Sequence, residues 1–240
     1  MSLETFKKIV RESDNIVFFG GAGVSTESNI PDFRTDQGIY GDKGVFSYPP
    51  EEILSHQFFM KKPEEFYRFY KKKMIYPKAK PNLAHKALAA LEKQGKLKAV
   101  ITQNIDGLHQ KAGNQNIFEL HGSIHRNYCM KCGSFASLQD IIESPEVVPR
   151  CSCGGIFKPD VVLYQESLDT NTLQRAIFYI ANADVFIVGG TSLVVYPAAG
   201  LVEYYTKDKL ILINKSVTPY DNRAQLIFHE NIGEILSEVV

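Results

Sequence analysis

Three groups of residues in this chain have types and spacings that could do chemistry. The first is a cysteine group: all four cysteines fall between 129 and 153. Cys129-x-x-Cys132 could hold one side of a metal ion and Cys151-x-Cys153, after eighteen intervening residues, the other. Four thiolates suit tetrahedral zinc, and a site filled by four protein ligands leaves no position for an activated water, which makes such a zinc structural. Unligated thiols or a redox pair are the competing reading. The second pair is one residue tighter than most zinc ribbons use, and His125 is a rival ligand that four cysteines make unnecessary. The second group is a single residue, His121, which follows a short apolar run and precedes Gly122. With an intrinsic pKa in the working range it is the candidate general base, whereas His56 and His85 read as structural histidines. The third group is the stretch Asn15–Arg34, in which Ile16-Val17-Phe18-Phe19 breaks at Gly20-Gly21-Ala22-Gly23 and ends on Pro31-Asp32-Phe33-Arg34.

A buried strand followed by a glycine turn brings backbone N–H groups up to a phosphate. The turn alone is a weak signal. Thr26 stands where the third glycine of the dinucleotide fingerprint belongs, and no acidic residue is placed to take the ribose hydroxyls in the usual way. An ordinary hydride-transfer enzyme is therefore disfavoured, and a plain structural turn stays open on these residues alone.

The elements that must position these groups alternate between strand and helix. Leu3, Phe6, Ile9 and Val10 recur at helical spacing ahead of the first strand. Thr35–Pro50, with its glycines, Tyr40, Tyr48 and two prolines, reads as a mobile lid or binding loop. Glu51–Met74 reads as helices whose aromatics (Phe58, Phe59, Phe66, Tyr67, Phe69, Tyr70) form a core stripe, with Lys71-Lys72-Lys73 on a solvated face. Asn82–Gln94 is a helix with Leu83, Ala87, Leu88 and Leu91 on one face. Leu97–Thr102, Ile117–Leu120, Asp184–Val188 and Lys209–Ile213 are strands, Val161–Tyr164 is extended, and Leu173–Asn182 and about 197–205 are helical. This order implies a parallel sheet covered by helices on both faces, with ligands outside the carboxyl ends of the strands. The rule gathers the glycine turn, Gln103-Asn104-Asp106, His121, Thr191-Ser192 and Asn214 into one crevice. Asn104 and Asp106 could equally be turn formers.

The 240 residues allow one good core plus a smaller module. Hydrophobic content of 44%, charged content of 22% and a formal net charge of zero are ordinary for a globular protein and give no electrostatic case for nucleic acid. No apolar run approaches a membrane span, and the charged N-terminus has no signal core. The expected compartment is the cytosol.

Taken together, GAGVSTESNIPDFR, TQNIDGLHQKAG, ELHGS, the paired cysteines, GTSLVVYPAAG and the strand ending at Asn214 resemble the sirtuins, the NAD-dependent protein lysine deacylases. The likeness runs in the family's order from about Asn15 to Ile232. It implies a Rossmann-like NAD-binding domain (1–35, 76–122 and 159–240) and a small domain made of a lid loop and helical insert (36–75) and a zinc module (123–158). It implies NAD as co-substrate, one structural zinc, acetyl-lysine proteins or peptides as partners, and nicotinamide as product and inhibitor. In the family's chemistry the acyl oxygen attacks the nicotinamide ribose, nicotinamide leaves, and lysine and an O-acyl-ADP-ribose are released. Carried over, Ala22 and Thr26 contact the pyrophosphate region, Arg34 clamps phosphate or ribose, and Phe33 covers the nicotinamide ribose. Ile105 and Asp106 hold the carboxamide, Asn104 with Gln103 the ribose, and Thr191, Ser192, Asn214 and Ile232 the adenosine side, with His121 as base. Val161–Tyr164 and Val194–Tyr196 clamp the peptide by β-pairing. The chain departs from the family pattern at Tyr164-Gln165-Glu166, where phenylalanine-glycine-glutamate is usual. It also has Tyr67-x-x-Tyr70 without the arginine of succinyl-preferring members, which points to acetyl or longer apolar acyl groups. Mono-ADP-ribosyl transfer, or a non-catalytic NAD-binding or zinc interaction module, are the alternatives.

Overall fold

The computed structural model describes residues 3–33, 38–39 and 46–240. Arg34 and most of the loop expected at Thr35–Pro50 lie outside the described residues. Helix α1 (Leu3–Arg11) leads into β1 (Ile16–Gly20). Short helices α2 (Pro50–Ile53), α3 (His56–Lys61) and α4 (Pro63–Lys73) follow, then α5 (Leu83–Lys93), β2 (Leu97–Thr102), α6 (Leu108–Ala112) and β3 (Ile117–Glu119). A second group of elements comprises β4 (Gly122–Cys129), β5 (Phe135–Ser137), α7 (Leu138–Glu143) and β6 (Phe157–Val161). The chain closes with α8 (Thr170–Asn182), β7 (Val185–Gly189), β8 (Leu210–Ile213), β9 (Leu226–Phe228) and α9 (Ile232–Ser237).

Two sheets result. The larger has the order β3-β2-β1-β7-β8-β9, with every pairing parallel. Its central strands are apolar throughout because both faces are covered. Along β1, Ile16 and Phe18 enter a core shared with Phe6, Leu88 and Leu236, while Val17 and Phe19 enter the opposite core with Ile180, Val202 and Tyr205. Strand β8 divides its residues between the same two cores. The strand ends are in step: Gly20 pairs with Thr102 on one side and Gly189 on the other, and Gly189 with Ile213. Whatever follows each strand therefore emerges along one edge, and the order reverses between β1 and β7, where open α/β sheets take their ligands.

The smaller sheet, β5-β4-β6, is antiparallel. Aromatics of α3 and α4 (Phe58, Phe59, Phe66, Tyr67, Phe69 and Tyr70) pack into a third core with Ile124, Ile141, Val161 and Leu163. Tyr67 Oη donates to the Phe157 carbonyl at 2.5 Å, tying the helical insert to β6. Both Tyr67 and Tyr70 are core residues, as their helical spacing suggested.

Several expectations shift. Leu83 is half exposed rather than on the buried face of α5, whose stripe is Ala84, Ala87, Leu88 and Leu91. Leu83 sits one position off that 3.6-residue stripe, directly after the capping Asn82. The helix expected near 197–205 is a 3-10 segment, Ala198–Tyr204. Strand β6 lies earlier than Val161–Tyr164, and the later residues extend it only to a single bridge between Tyr164 and Ser55. Strand β9, α6, α7 and α9 were not foreseen, since none exceeds six residues.

Candidate active site

The glycine turn forms two successive 3-10 turns, Ala22–Val24 and Thr26–Ser28. Gly23 packs backbone to backbone against Gly190, the residue after β7, and its N–H donates to the Gly190 carbonyl at 2.8 Å. A Cβ on Gly23 would lie 2.7 Å from Gly190 Cα, and one on Gly21 would lie 2.8 Å from Thr191 Cβ. These two positions need glycine because the loops after β1 and β7 touch. Thr26 bonds its own turn, Oγ1 to the Gly23 carbonyl at 3.0 Å.

The segment after β2 is held by the same turn. Gln103 N donates to Gly20 O at 3.0 Å, and Gln103 Nε2 to Thr191 Oγ1 at 3.1 Å. Ser25 Oγ donates to Asp106 Oδ2 at 2.7 Å and accepts from Asn104 Nδ2 at 3.1 Å. Asp106 Oδ1 also accepts from Leu108 N at 2.8 Å, starting α6. Burial raises the Asp106 pKa, while the Ser25 hydroxyl and the Leu108 N–H pull it back. Ser25 is thus the hub of this network. Nothing in the local sequence distinguishes Ser25 from its neighbours Thr26 and Ser28.

His121 follows β3 and bonds through Nδ1 to the Gln103 carbonyl at 3.0 Å. A carbonyl only accepts, so Nδ1 carries the proton and the neutral ring keeps its lone pair on Nε2. Burial lowers the His121 pKa below its ordinary 6.5, opposed by that carbonyl contact. The ring is therefore neutral at pH 7 and able to accept a proton. His125 points elsewhere, with Nε2 on the Asp106 carbonyl at 3.1 Å.

These groups line one cleft of about 1230 Å³. The first loop contributes Ala22, Thr26 and Phe33, and the segment after β2 contributes Gln103 to Asp106. His121 opens onto it, and Thr191, Ser192, Asn214 and Ile232 complete it where β7, β8 and α9 meet. The volume exceeds the roughly 300–1,000 Å³ of a single small-ligand site. Val161 to Tyr164, with Val195 and Tyr196, line it too. Lining residues that went unremarked in the sequence include Glu27, Lys215 and Glu230. Glu27 is recognisable only in space, where its carboxylate accepts from Gly233 N at 3.1 Å and ties the loop to α9. Tyr67 and Tyr70 are not among the lining residues.

The four cysteine sulfurs lie within 4.8 Å of one another. Cys129 and Cys153 are 3.5 Å apart, Cys132 and Cys151 3.7 Å, and Cys132 and Cys153 3.4 Å. Sulfurs at about 2.3 Å from a tetrahedral zinc stand roughly 3.8 Å apart, so the set fits zinc and is too open for disulfides. The tight Cys151-x-Cys153 spacing is accommodated by a turn in which Gly154 N donates to Cys151 O at 2.8 Å, with Gly154 at φ +81°.

Fold and site together define a Rossmann-like α/β protein carrying a four-cysteine zinc-type module, with a cleft at the switch point of its parallel sheet. Residues 21–197 match the Sir2 family, and the chain belongs to that family. It is 61% identical over 238 residues to an NAD-dependent protein deacetylase of Clostridium tetani, covering 99% of this chain and 96% of that one. It is 60% identical over 239 residues to the NAD-dependent protein deacetylase of Clostridium acetobutylicum, covering 99% and 98%. Among solved structures, a Sir2 with p53 peptide and NAD+ superposes with a TM-score of 0.87 at 40% identity, covering 100% of this chain and 97% of that one. Among the described residues no helix is long and apolar enough to cross a membrane.

Proposed function

We propose that this protein is an NAD-dependent protein lysine deacetylase that releases nicotinamide and O-acetyl-ADP-ribose. The observation that carries the reading is His121, neutral and fixed in the Nδ1–H tautomer, beside the Ser25–Asn104–Asp106 network in a cleft large enough for two substrates. NAD supplies a ribose carbon bearing a cationic leaving group. Ala22 and Thr26 hold its pyrophosphate region, Ile105 and Asp106 its carboxamide, and Thr191, Ser192, Asn214 and Ile232 its adenosine end. Asn104 and Gln103 orient the ribose, and His121 Nε2 takes a proton from a ribose hydroxyl. Phe33 excludes water from that face, and Arg34 pairs with phosphate or ribose. Asp106 is held as an acceptor by Ser25 and Leu108, which suits an amide ligand. The zinc, bound by Cys129, Cys132, Cys151 and Cys153, organises the small sheet and takes no part in proton transfer.

The peptide enters beside Val161–Tyr164 and Tyr196. With Tyr67 and Tyr70 packed in the core and tyrosine at position 70 in place of the arginine of a Tyr-x-x-Arg pair, the site favours acetyl and longer apolar acyl groups over acidic ones. Nicotinamide, as product, inhibits. The small domain comprises 36–75 and 123–158, the protein acts in the cytoplasm, and it has no dedicated nucleic-acid surface. Purified protein with NAD and an acetyl-lysine peptide should release nicotinamide only when the peptide carries the acetyl group. Transfer of labelled ADP-ribose to protein without acetyl-peptide would instead identify a mono-ADP-ribosyltransferase.

A further inference from the structure

The turn after β6 leaves ordinary backbone geometry at one residue. Gln165 has a φ of +75°, in the left-handed region that favours glycine. A side chain is held there only when its surroundings fix it. Gln165 Oε1 accepts from Gln57 N, in the first turn of α3, at 3.1 Å. On one side of it, Tyr164 N donates to Leu54 O at 3.0 Å and Tyr164 O accepts from His56 N at 2.9 Å. On the other, the Glu166 carboxylate accepts from Leu163 N at 2.9 Å, from Lys158 Nζ at 3.0 Å and from His56 Nδ1 at 2.8 Å. Main chain, the Gln165 amide and the Glu166–His56 hydrogen bond thus join residues 164–166 to residues 54–57. Tyr164, Gln165 and Glu166 line the cleft beside the segment assigned above to the peptide.

We propose that Gln165 is a positioning residue that sets peptide affinity, its side-chain oxygen holding the turn after the peptide segment against α3. This rests on the deacetylase reading. The main-chain bonds at Tyr164 fix one rail of the groove, and the Gln165 bond fixes the bend that ends it. Without the amide oxygen, the strained left-handed residue is held only through its neighbours, by the Glu166 N–H to Leu163 carbonyl bond at 3.0 Å and the bonds at Tyr164 and Glu166, and the bend shifts relative to α3. The groove then binds an extended acetyl-lysine peptide less tightly. The groups assigned to NAD come from the loops after β1, β2, β7 and β8 and from the start of α9, so their geometry does not depend on this bond.

Three variants separate the oxygen from the backbone. Gln165→Met keeps the chain length and loses the acceptor, Gln165→Glu keeps an acceptor oxygen, and Gln165→Gly removes both the side chain and the strain. In steady-state kinetics the Met variant should raise the acetyl-peptide KM about 3- to 10-fold, with kcat and the NAD KM within about twofold, the scale of one lost hydrogen bond, whereas the Gly variant, free of the strain, should stay within about twofold of wild type. The Glu variant should stay within about twofold of wild type in all three constants. An unchanged peptide KM in the Met variant, or a Gly variant as weak as Met, overturns the inference. So does an equal rise in the NAD KM, or a Glu variant as weak as Met. Wild-type protein that releases no nicotinamide with acetyl-peptide overturns the deacetylase reading itself, whereas normal wild-type turnover with unaffected variants overturns only the role of Gln165.

Discussion

At the scale of single residues, the chemistry turns on which nitrogen of His121 is free. The Gln103 carbonyl fixes the proton on Nδ1, and burial lowers the ring's pKa, which favours the neutral form. His121→Ala should lower turnover by about 10²–10⁴-fold, the usual contribution of a positioned base, with the NAD dissociation constant changed only a few-fold by direct titration. The sign of the pH effect follows. A base is active when unprotonated and the pKa is lowered, so the acidic limb of kcat/KM should have its midpoint below 6.5. A midpoint at or above 6.5 in a pH–rate profile would contradict the assignment. The sequence marked His121 by its place after a strand, but the tautomer depends on a carbonyl eighteen residues away, which no local pattern reveals.

At the scale of elements, the glycine turn is held from behind by the start of α5. Asn82 caps this helix by accepting from Ala84 N and His85 N, and its Nδ2 donates to Val24 O at 2.7 Å and Ser28 Oγ at 3.0 Å. One side chain therefore serves as a helix cap and as a bracket for both 3-10 turns. Asn82→Ala removes a cap worth about 1 kcal/mol and leaves the Val24 carbonyl unpaired, a further cost of about 1–3 kcal/mol. Urea unfolding should show a loss of about 2–4 kcal/mol. The NAD KM should rise several-fold while the peptide KM holds. The helix start is legible in the sequence, since Asn before an apolar repeat is a start signal. Its second role is not, because Val24 and Ser28 are more than fifty residues away along the chain.

At the scale of the whole molecule, two features tie stability to conditions. The small sheet carries four sulfurs spaced for zinc and a core built on helices from elsewhere in the chain. Because such a metal site contributes folding energy, a strong chelator should lower the melting temperature and abolish turnover together, with both recovering on zinc addition. Activity that survives full zinc removal with an unchanged melting curve would rule out a structural role. The second feature is the buried pair His85 and His109, with ring centroids 4.7 Å apart. Burial lowers their pKa values to about 4 and about 3. Between pH 6.5 and 4 the unfolded chain binds protons that the folded chain excludes, so stability is lost as the pH falls through this window. The limiting slope is about 1.4 kcal/mol per pH unit for each ring. Replacing His109 with leucine should flatten the acid-unfolding curve followed by circular dichroism.

The parallel sheet was legible in the order of residues alone, because apolar runs such as Val17–Phe19 and Leu210–Ile213 alternate with helical segments and need cover on both faces. The sequence by itself also determined the cysteine group and the strand-end residues of the cleft, because chemistry-bearing types sat at turns that the strand pattern already located. Tertiary structure decided what depends on two distant segments meeting. Gly23 must lie against Gly190, Ser25 must join Asn104 to Asp106, and Gln165 must take a glycine-like backbone to reach Gln57. Periodicity reports which face of an element is buried. Only the assembled fold reports which groups then come within hydrogen-bond distance.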